Sequence, residues 1–274
     1  MIGASRRSIS GPILAVARRD LSIQFTYHFQ LFLQFLQVLF LTTTLYFVAK
    51  LVHDPGHLHR FGGHYFEFAV IGLVVMAFVG VGLTSFSRSI SDEQRAGTLE
   101  MLLSSPAPLG ALLAGSSIVP FSMAAIQAVL LFVSSIVVFG AHFRLAGLLP
   151  AIPLLALTAV TVYCLGILSA AFVVLTKRGD PFTVFATQIT TFLAGAVFPT
   201  SVLPGALRVL SRFVPTYYSL DGLRTTLLTG GGSGNVARDI LVLAGFAIAL
   251  FFVSTYAFAR SLRIARATGT LGNY

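Results

Sequence analysis

Long apolar runs alternate with short polar segments along the chain. Each run lacks Asp, Glu, Lys and Arg, and the runs cover residues 21–49, 68–87, 101–143, 145–176, 181–207 and 240–259. A helix needs roughly 20 apolar residues to cross a bilayer core of about 30 Å, so every run is long enough for one crossing. Membrane strands would alternate apolar and polar residues, and these runs do not. The pattern predicts an all-α polytopic membrane protein with six transmembrane helices, folded as a single transmembrane domain over residues 1–274.

The ends of the runs set the bounds of the predicted transmembrane helices. They are expected at about residues 30–52, 68–86, 112–140, 149–176, from 182 to the FPTSVLP sequence, and 240–259. Before the first of them, residues 12–29 mix Arg18, Arg19 and Asp20 with Ile, Leu and Phe. This mixture is typical of an amphipathic helix that lies at the membrane interface, so we expect an N-terminal interfacial helix there.

The segment before the last transmembrane helix has a different pattern. Residues 201–229 are too polar and too rich in proline to cross a membrane, yet leucines recur in them at intervals of three and four residues. Such a segment is tolerated at membrane depth where protein buries it, and it predicts two short re-entrant helices. Asp221 and Arg224, three residues apart on the second of them, are expected to form a local ion pair.

The polar segment after the second run predicts a short amphipathic helix over residues 91–105. Ser91 and Gln94 have the spacing of a capping box, and Asp92 and Glu93 fall where the helix dipole favours acidic side chains. Leucines then mark one face, and two prolines end the helix. The residues alone leave two interpretations open. The helix is either a solvated link between two transmembrane helices or a surface on which a partner docks.

The charge balance indicates how the chain lies in its membrane. The sequence has 18 basic and 9 acidic residues among 274. Eleven of the basic residues fall on the predicted cytoplasmic segments and seven on the opposite side. The excess of positive charge inside predicts a multi-pass protein of the cell membrane with both termini in the cytoplasm. Because the basic residues lie at the ends of apolar helices, the expected partners of this charge are anionic membrane lipids rather than nucleic acid.

Two stretches resemble a known family of membrane proteins. DEQRAGTLEMLLSSPAPLGALLAGSSI is similar to the cytoplasmic loop motif of type-2 ATP-binding-cassette (ABC) exporter permeases. FPTSVLPGALRVLSRFVPTYYSLDGLRTTLLTG resembles the segment that precedes the last transmembrane helix in that family. The two stretches stand at the expected places among six transmembrane helices, so the resemblance covers nearly the whole chain.

The resemblance implies a role and partners for the charged segment. In this family the loop helix is a cytoplasmic coupling helix, fitted against a separate ABC ATPase subunit that dimerises when it binds ATP. The matching ATPase-coupling positions are Asp92, Glu93, Arg95, Gly97, Thr98, Leu99 and Glu100. The family also implies two copies of the ATPase subunit and a second permease chain, identical or homologous, with the interfacial helix packed beside the coupling helix as a connecting helix.

The sequence contains no site of its own for ATP. No G-x-x-x-x-G-K-[ST] motif occurs, and TGGGSGN lacks the Lys and Ser/Thr that would engage phosphate and magnesium. We therefore expect no catalytic residues and no cofactor in this chain, with ATP and magnesium held by the partner ATPase. His53, His57, His59 and His64 lie in one polar loop, but their spacing fixes no pair of ligands on a helix face, so no metal site is predicted.

Polar side chains within two apolar runs are the candidates for a substrate pathway. Polar groups are costly in a bilayer, so these side chains should face protein or water. In the first transmembrane helix they are Gln30, Gln34, Gln37 and Thr44, and in the fifth they are Thr183, Thr187, Gln188, Thr190 and Thr191. Hydrogen bonds between helices are the alternative interpretation for any one of them. The family implication that the fifth helices meet at the dimer axis favours a pathway for the two sets together.

The sequence and the resemblance together predict the permease subunit of an ATP-driven exporter. It would move a hydrophobic or amphipathic, drug-like compound out of the cytoplasm by alternating access. A lipid or a lipid-linked glycan is the alternative substrate. A carrier or channel that works without an ATPase is a weaker hypothesis, because no acidic residue lies within the runs away from their ends. A membrane metalloenzyme built on the histidine loop is weaker still.

Overall fold

Helices make up nearly all of the described chain. The structure is a computed structural model, and it describes residues 28–51, 60–61, 64–95, 109–176, 180–230 and 233–267. Among these residues the α-helices are α1 (His28–Leu51), α2 (Tyr65–Arg95), α3 (Leu109–Val137), α4 (Leu148–Thr176), α5 (Asp180–Ala194), α6 (Gly205–Ser211), α7 (Pro215–Arg224) and α8 (Ser233–Ala267). Short 3₁₀ turns lie at Leu145–Gly147 and Thr200–Val202, and a π-helical turn at Thr225–Thr229 continues α7.

Five of these helices are long and apolar enough to cross a membrane. They are α1, α2, α3, α4 and α8. The prediction of an all-α membrane protein is therefore confirmed, and four of the predicted helices, at about 30–52, 68–86, 112–140 and 149–176, correspond to α1, α2, α3 and α4. The last predicted helix corresponds to α8, which is longer than expected because both its ends continue past the apolar run.

The predicted fifth transmembrane helix is not found as one long helix among the described residues. α5 has 15 residues, a length of about 22 Å, which is less than a bilayer core of about 30 Å. It ends because Gly195 takes a positive φ of 69°, the left-handed conformation in which glycine commonly terminates helices. The charge-free run of residues 181–207 contains this break together with Pro199 and Pro204. The prediction of one long helix missed the break because it rested on the absence of charged residues alone.

α2 is the central helix of the bundle. In its most apolar stretch 67% of the residues are buried, against 17% in α1 and in α8. α3, α4 and α5 pack around it, and its side chains Phe68, Ile71, Val74 and Phe86 are almost fully buried. A helix that is apolar on every side suits this central position, because all of its sides pack against apolar side chains of neighbouring helices or against lipid.

Two glycines allow α2 and α4 to cross at short range. A side chain at Gly82 would collide with Val162 of α4, and one at Gly166 would collide with the Gly82 carbonyl oxygen. Small residues at such contacts let helix backbones approach closely in membrane proteins, where packing replaces the hydrophobic drive for association. This close contact holds α4 against the central helix α2.

Candidate functional site

A buried arginine fastens the segment between α5 and α8 to the central helix. Arg224 is the last residue of α7 and is 3% exposed. Its Nη1 donates to the Gly195 carbonyl at 2.9 Å and its Nη2 to the Ala196 carbonyl at 2.6 Å. These carbonyls follow the end of α5, where no further helical turn supplies donors. We call Arg224 with the carbonyls of Phe68, Gly195 and Ala196 the arginine clamp.

The clamp also holds the beginning of α2. Nε and Nη2 of Arg224 each donate to the Phe68 carbonyl at 3.3 Å. The guanidinium lies over the Phe68 ring, 3.4 Å from its centroid, a favourable contact between a cation and an aromatic face. Gly72 makes room for this arrangement, because a side chain there would collide with the Ala196 carbonyl oxygen. One side chain thus joins α7, the end of α5 and the first turn of α2.

The local sequence explains why Arg224 points inward. Pro215 occupies the first turn of α7, where its fixed φ and missing N–H suit a helix start. The helix then widens into the π-helical turn, which Gly230 ends with a positive φ of 63°. Arg224 therefore lies in a continuous helical segment whose buried side includes Leu220, Leu223 and Leu227.

The predicted ion pair between Asp221 and Arg224 is wrong. Asp221 accepts a hydrogen bond from Nη2 of Arg60 at 2.9 Å instead. The Arg60 side chain is 59% exposed and that of Asp221 is 14% exposed, so this ion pair lies at the surface. A spacing of three residues brings two side chains near each other on a helix. Arg224 instead turns towards backbone carbonyls inside the bundle, and the sequence of α7 by itself does not predict those carbonyls.

The polar residues of α5 point in different directions. Thr183 is 2% exposed, and its hydroxyl lies 3.0 Å from the Ser169 hydroxyl of α4 and 3.4 Å from the Ser87 hydroxyl of α2. Ser87 and Ser169 are themselves 2.9 Å apart, so three helices meet at a triangle of hydroxyls. Thr183 therefore makes the interhelical hydrogen bonds that were the alternative to a pathway role.

The other polar residues of α5 lie away from this triangle. Thr187 and Thr191 are half-buried and donate to carbonyls within their own helix, those of Thr183 and Thr187, at 2.8 and 2.7 Å. Thr190 is also half-buried, and Gln188 is exposed. Exposed apolar neighbours surround Gln188 on this side of α5, among them Phe185 and Phe192. The structure thus divides the predicted set between the protein interior and an open surface.

Two of the predicted polar residues of α1 lie on its open side. Gln37 and Thr44 are exposed and Gln34 is half-buried, while Gln30 lies in the first turn of α1 with its side chain outside the described residues. The Thr44 hydroxyl donates to the Phe40 carbonyl within the helix at 2.9 Å. Thr42 faces inward instead, 3.4 Å from the Ser134 hydroxyl of α3. Among the described helices α1 packs mainly against α3 and α2 rather than α5.

The charged segment begins inside a helix. Residues 91–95 are the last turn of α2, so the capping box at Ser91 does not start a separate helix. The reason is that no glycine or proline separates the second apolar run from the charged residues. Asp92, Glu93 and Arg95 have described backbones only. Gly97, Thr98, Leu99 and Glu100 lie outside the described residues, as do residues 1–27 with most of the predicted interfacial helix.

Several residues of the site gave no recognisable signal in the sequence. Ser87, Ser169, Gly72 and Phe68 are small or apolar residues inside long apolar runs, where such residues are common. Their partners lie 14 to 156 positions away, as with the Ser169–Thr183 and Phe68–Arg224 contacts. Arg224 itself was detectable as a cation in an otherwise apolar segment, although its partners were not.

Comparison with known proteins identifies the family. Residues 13–228 match the family model described as "ABC-2 type transporter". The chain belongs to this family. The match includes both stretches on which the resemblance rests, residues 92–118 and nearly all of residues 198–230. Together with the five long apolar helices, it establishes the chain as a membrane permease of the ABC-2 type.

Named relatives support the same family. The chain is similar to nodulation protein J of Rhizobium leguminosarum bv. viciae, with 36% identity over 119 residues, which are 42% of this chain and 44% of that protein. Nodulation protein J of Rhizobium meliloti (strain 1021) shares 34% identity over the same lengths. The match thus spans less than half of these relatives. The inner membrane transport permease YadH of Escherichia coli (strain K12) is 27% identical over 222 residues, 79% of this chain and 81% of YadH.

Proposed function

We propose that this chain is the permease subunit of an ATP-driven exporter, working with a separate ABC ATPase. It moves a hydrophobic or amphipathic, drug-like compound out of the cytoplasm by alternating access. The observation that carries the proposal is the family match over residues 13–228. Since the sequence lacks a phosphate-binding motif, ATP and magnesium belong to the partner, of which two copies serve a pair of permease chains.

α2 is suited to carry movement from the ATPase to the rest of the permease. It runs unbroken for 31 residues, about 46 Å, from the clamp residue Phe68 near one end to Asp92, Glu93 and Arg95 at the other. An ATPase that moves the segment of residues 91–105 therefore displaces the central helix. Through Arg224 this displacement reaches both α7 and the end of α5. Coupling in this proposal is the movement of a rigid helix clamped at its far end.

The substrate pathway in this proposal lies between two permease copies. The open sides of α1 and α5 present amides among aromatic and aliphatic side chains, with Gln37 and Gln188 as their exposed amides. Amides on the lipid-facing side of a helix are costly, and a second copy or a water-filled path would satisfy them. A surface of this mixed character suits an amphipathic compound, because apolar walls with a few polar groups bind and orient such ligands.

The topology follows from the distribution of charge. α5 together with the residues up to the FPTSVLP sequence makes the fifth crossing, and α6 and α7 return into the membrane on the outer side. This arrangement has six crossings, places both termini in the cytoplasm, and puts Arg88 and Arg260 at the cytoplasmic ends of their helices. The charged end of α2 then faces the ATPase, as coupling requires.

The test is ATP hydrolysis by the partner ATPase, alone and co-reconstituted with this chain in lipid vesicles. We expect a stable complex whose hydrolysis rate changes when a transported compound is added. Drug-like compounds, lipids and lipid-linked glycans are the three classes to screen. Stimulation by the second or third class alone would replace the drug-like substrate. Failure of the chain to associate with any ABC ATPase would overturn the proposal and favour a carrier that works without one.

A further inference from the structure

A half-open cavity of about 340 Å³ is lined by α2, α4, α5 and α8 of a single chain. Its walls are apolar and include Leu83, Phe172, Leu175 and Ala257, with Ser169 and Thr190 as the hydroxyl-bearing residues. Pockets that hold small ligands start at a volume of about 300 Å³ and are mostly apolar. The cavity is separate from the open side of α5 that carries Gln188.

The length and position of the cavity correspond to one leaflet of a bilayer. Along α4 the lining residues extend from Leu165 to Leu175, a rise of about 15 Å. Half of a bilayer core of about 30 Å is also about 15 Å. Leu175 is the next-to-last residue of α4, so the cavity extends to the end of the apolar run, where the membrane surface is expected. The length of the cavity is therefore that of a lipid acyl chain that runs from its headgroup towards the bilayer centre.

One of the two hydroxyl groups in the wall already has hydrogen-bond partners. The Ser169 hydroxyl belongs to the triangle with Ser87 and Thr183, at 2.9 and 3.0 Å. A ligand in the cavity therefore meets mostly methyl and methylene groups, and this favours a hydrocarbon chain over a polar compound.

Two exposed arginines lie beyond one end of the cavity, on α2 and on α8. Arg88 is exposed on α2, about 7.5 Å along the helix axis beyond Leu83, and Arg260 is exposed on α8, about 4.5 Å beyond Ala257. The described ends of these two helices, residues 88–95 of α2 and 260–266 of α8, contain five basic and two acidic residues. Their net positive charge attracts acidic headgroups.

We infer that this cavity binds one acyl chain of an anionic phospholipid, whose headgroup lies between Arg88 and Arg260. Such a lipid fills the space between α4, α5 and α8 and ties them together at the end where α2 continues into the charged segment. The inference does not depend on which compound the permease transports, and its test uses no ATPase.

The sequence offers a clean spectroscopic test, because it contains no tryptophan. A Phe172→Trp reporter places the single indole of the chain in the cavity wall. The matched control is Phe252→Trp, a residue of α8 that is 68% exposed. Both variants are placed in phosphatidylcholine vesicles with increasing fractions of phosphatidylglycerol brominated on its acyl chains. Bromine quenches indole fluorescence on contact, so the quenching curve reports which lipid occupies the site.

We expect the Phe172→Trp reporter to reach half-maximal quenching at about a fivefold lower fraction of brominated phosphatidylglycerol than of brominated phosphatidylcholine. This fold-change corresponds to the contribution of one basic side chain to the binding of an anionic lipid, about 1 kcal/mol. The Phe252→Trp control should respond nearly equally to both lipids. Adding Ala257→Phe to the cavity reporter should fill the space and lower its quenching, and Ala186→Leu offers a second filling variant. Arg88→Gln with Arg260→Gln should remove the preference.

Three results would overturn the inference. Equal curves at the cavity and control positions would show that no lipid is bound selectively there. Quenching that persists after both filling substitutions would show that the acyl chain of the lipid does not enter the cavity. A preference for phosphatidylglycerol that survives loss of both arginines would refute the position of the headgroup. If the Phe172→Trp chain fails to insert, Leu168→Trp reports from the same wall.

Discussion

Arg224 lies with its guanidinium 3.4 Å from the centre of the Phe68 ring, and the Phe68 carbonyl accepts two of its N–H groups at 3.3 Å. One residue of α7 is thus held against α2 by both a side chain and a backbone. A planar guanidinium can stack on a ring while donating sideways to several carbonyls, which a lysine ammonium cannot do. The contact explains how a cation is accommodated at 3% exposure without an acidic partner at hydrogen-bonding distance among the described residues.

The first prediction concerns this side chain. Arg224→Lys keeps the charge but cannot serve the carbonyls of Phe68, Gly195 and Ala196 together, and each hydrogen bond from a charged donor contributes about 1.5–3 kcal/mol. We expect a loss of at least one such bond and a clear fall in the unfolding temperature, measured by thermal denaturation in detergent. Arg238→Lys, at an exposed position of α8, is the control and should change little. Equal effects at the two positions would contradict the clamp.

The second prediction uses two glycines of the same helix. Gly72→Ala introduces a methyl group against the Ala196 carbonyl oxygen and should push the end of α5 away from α2. Gly80 has no atom within 4 Å of where its side chain would be, so Gly80→Ala is a matched control. We expect Gly72→Ala to cost about 1–3 kcal/mol, the usual range for overpacking, and Gly80→Ala to be neutral or slightly stabilising. Chemical unfolding of both variants in mixed micelles measures the difference, and a harmless Gly72→Ala would show that the two segments separate readily.

The sequence predicted helices well wherever apolar runs are unbroken. The fourth run was expected at residues 149–176, and α4 occupies Leu148–Thr176. The prediction was less successful where local backbone chemistry interrupts a run. Gly195 ends α5 within a charge-free stretch of residues 181–207, and the absence of such a break lets α2 continue to Arg95. Hydrophobicity identifies which residues enter a membrane, whereas glycine and proline decide where the helix stops.

The site was less predictable than the fold because its contacts are distant in sequence. Arg224 and Phe68 are 156 residues apart, and Thr183 and Ser87 are 96 apart. Helical spacing placed Thr183 and Thr190 on one face of α5, which the structure bears out, but it could not show that α2 and α4 cover the Thr183 end of that face. Knowing what a face contacts requires the packing of the whole bundle.

The third prediction separates a packing role from a pathway role on α5. Thr183→Val removes a hydroxyl that lies between Ser87 and Ser169, and interhelical hydrogen bonds in membranes contribute about 0.6–1.7 kcal/mol. We expect a loss of that size in the unfolding free energy. Thr255→Val is the control, since the Thr255 hydroxyl bonds the Phe251 carbonyl of its own helix on the exposed side of α8. A Thr183→Val chain with unchanged stability and altered transport would return Thr183 to the pathway.

The fourth prediction tests the open side of α1. Gln34→Leu should change the concentration of compound that half-maximally stimulates the partner ATPase, while leaving the unfolding temperature within a few degrees of the original. The reason is that Gln34 is half-buried at the boundary between the open side of α1 and the side that carries the buried Val38 and Leu45. Gln127→Leu, in α3 and outside the predicted pathway, controls for loss of an amide. Poor insertion of the Gln34→Leu chain, with no change in substrate response, would indicate that this glutamine serves packing alone.

The fifth prediction concerns coupling to the ATPase. Arg95→Ala and Glu100→Ala remove charges from the segment that we propose docks on the ATPase, and neither position lies in the described core of the bundle. We expect both chains to insert normally, to bind the ATPase more weakly, and to lose most of the substrate-dependent change in ATP hydrolysis. The charge effect should be largest at low ionic strength, because salt screens exposed charges over about 8–10 Å.

Arg212→Ala is the control for this prediction, since Arg212 is exposed near the opposite end of α2, in the segment between α6 and α7. It should leave coupling intact. Clamp variants add a second comparison. If α2 transmits movement as a rigid rod, Arg224→Lys should also weaken coupling, but without weakening binding of the ATPase, because it acts at the far end of the rod. Normal coupling in the Arg95 and Glu100 variants would contradict the docking surface, and normal coupling in the Arg224 variant alone would contradict transmission through the clamp.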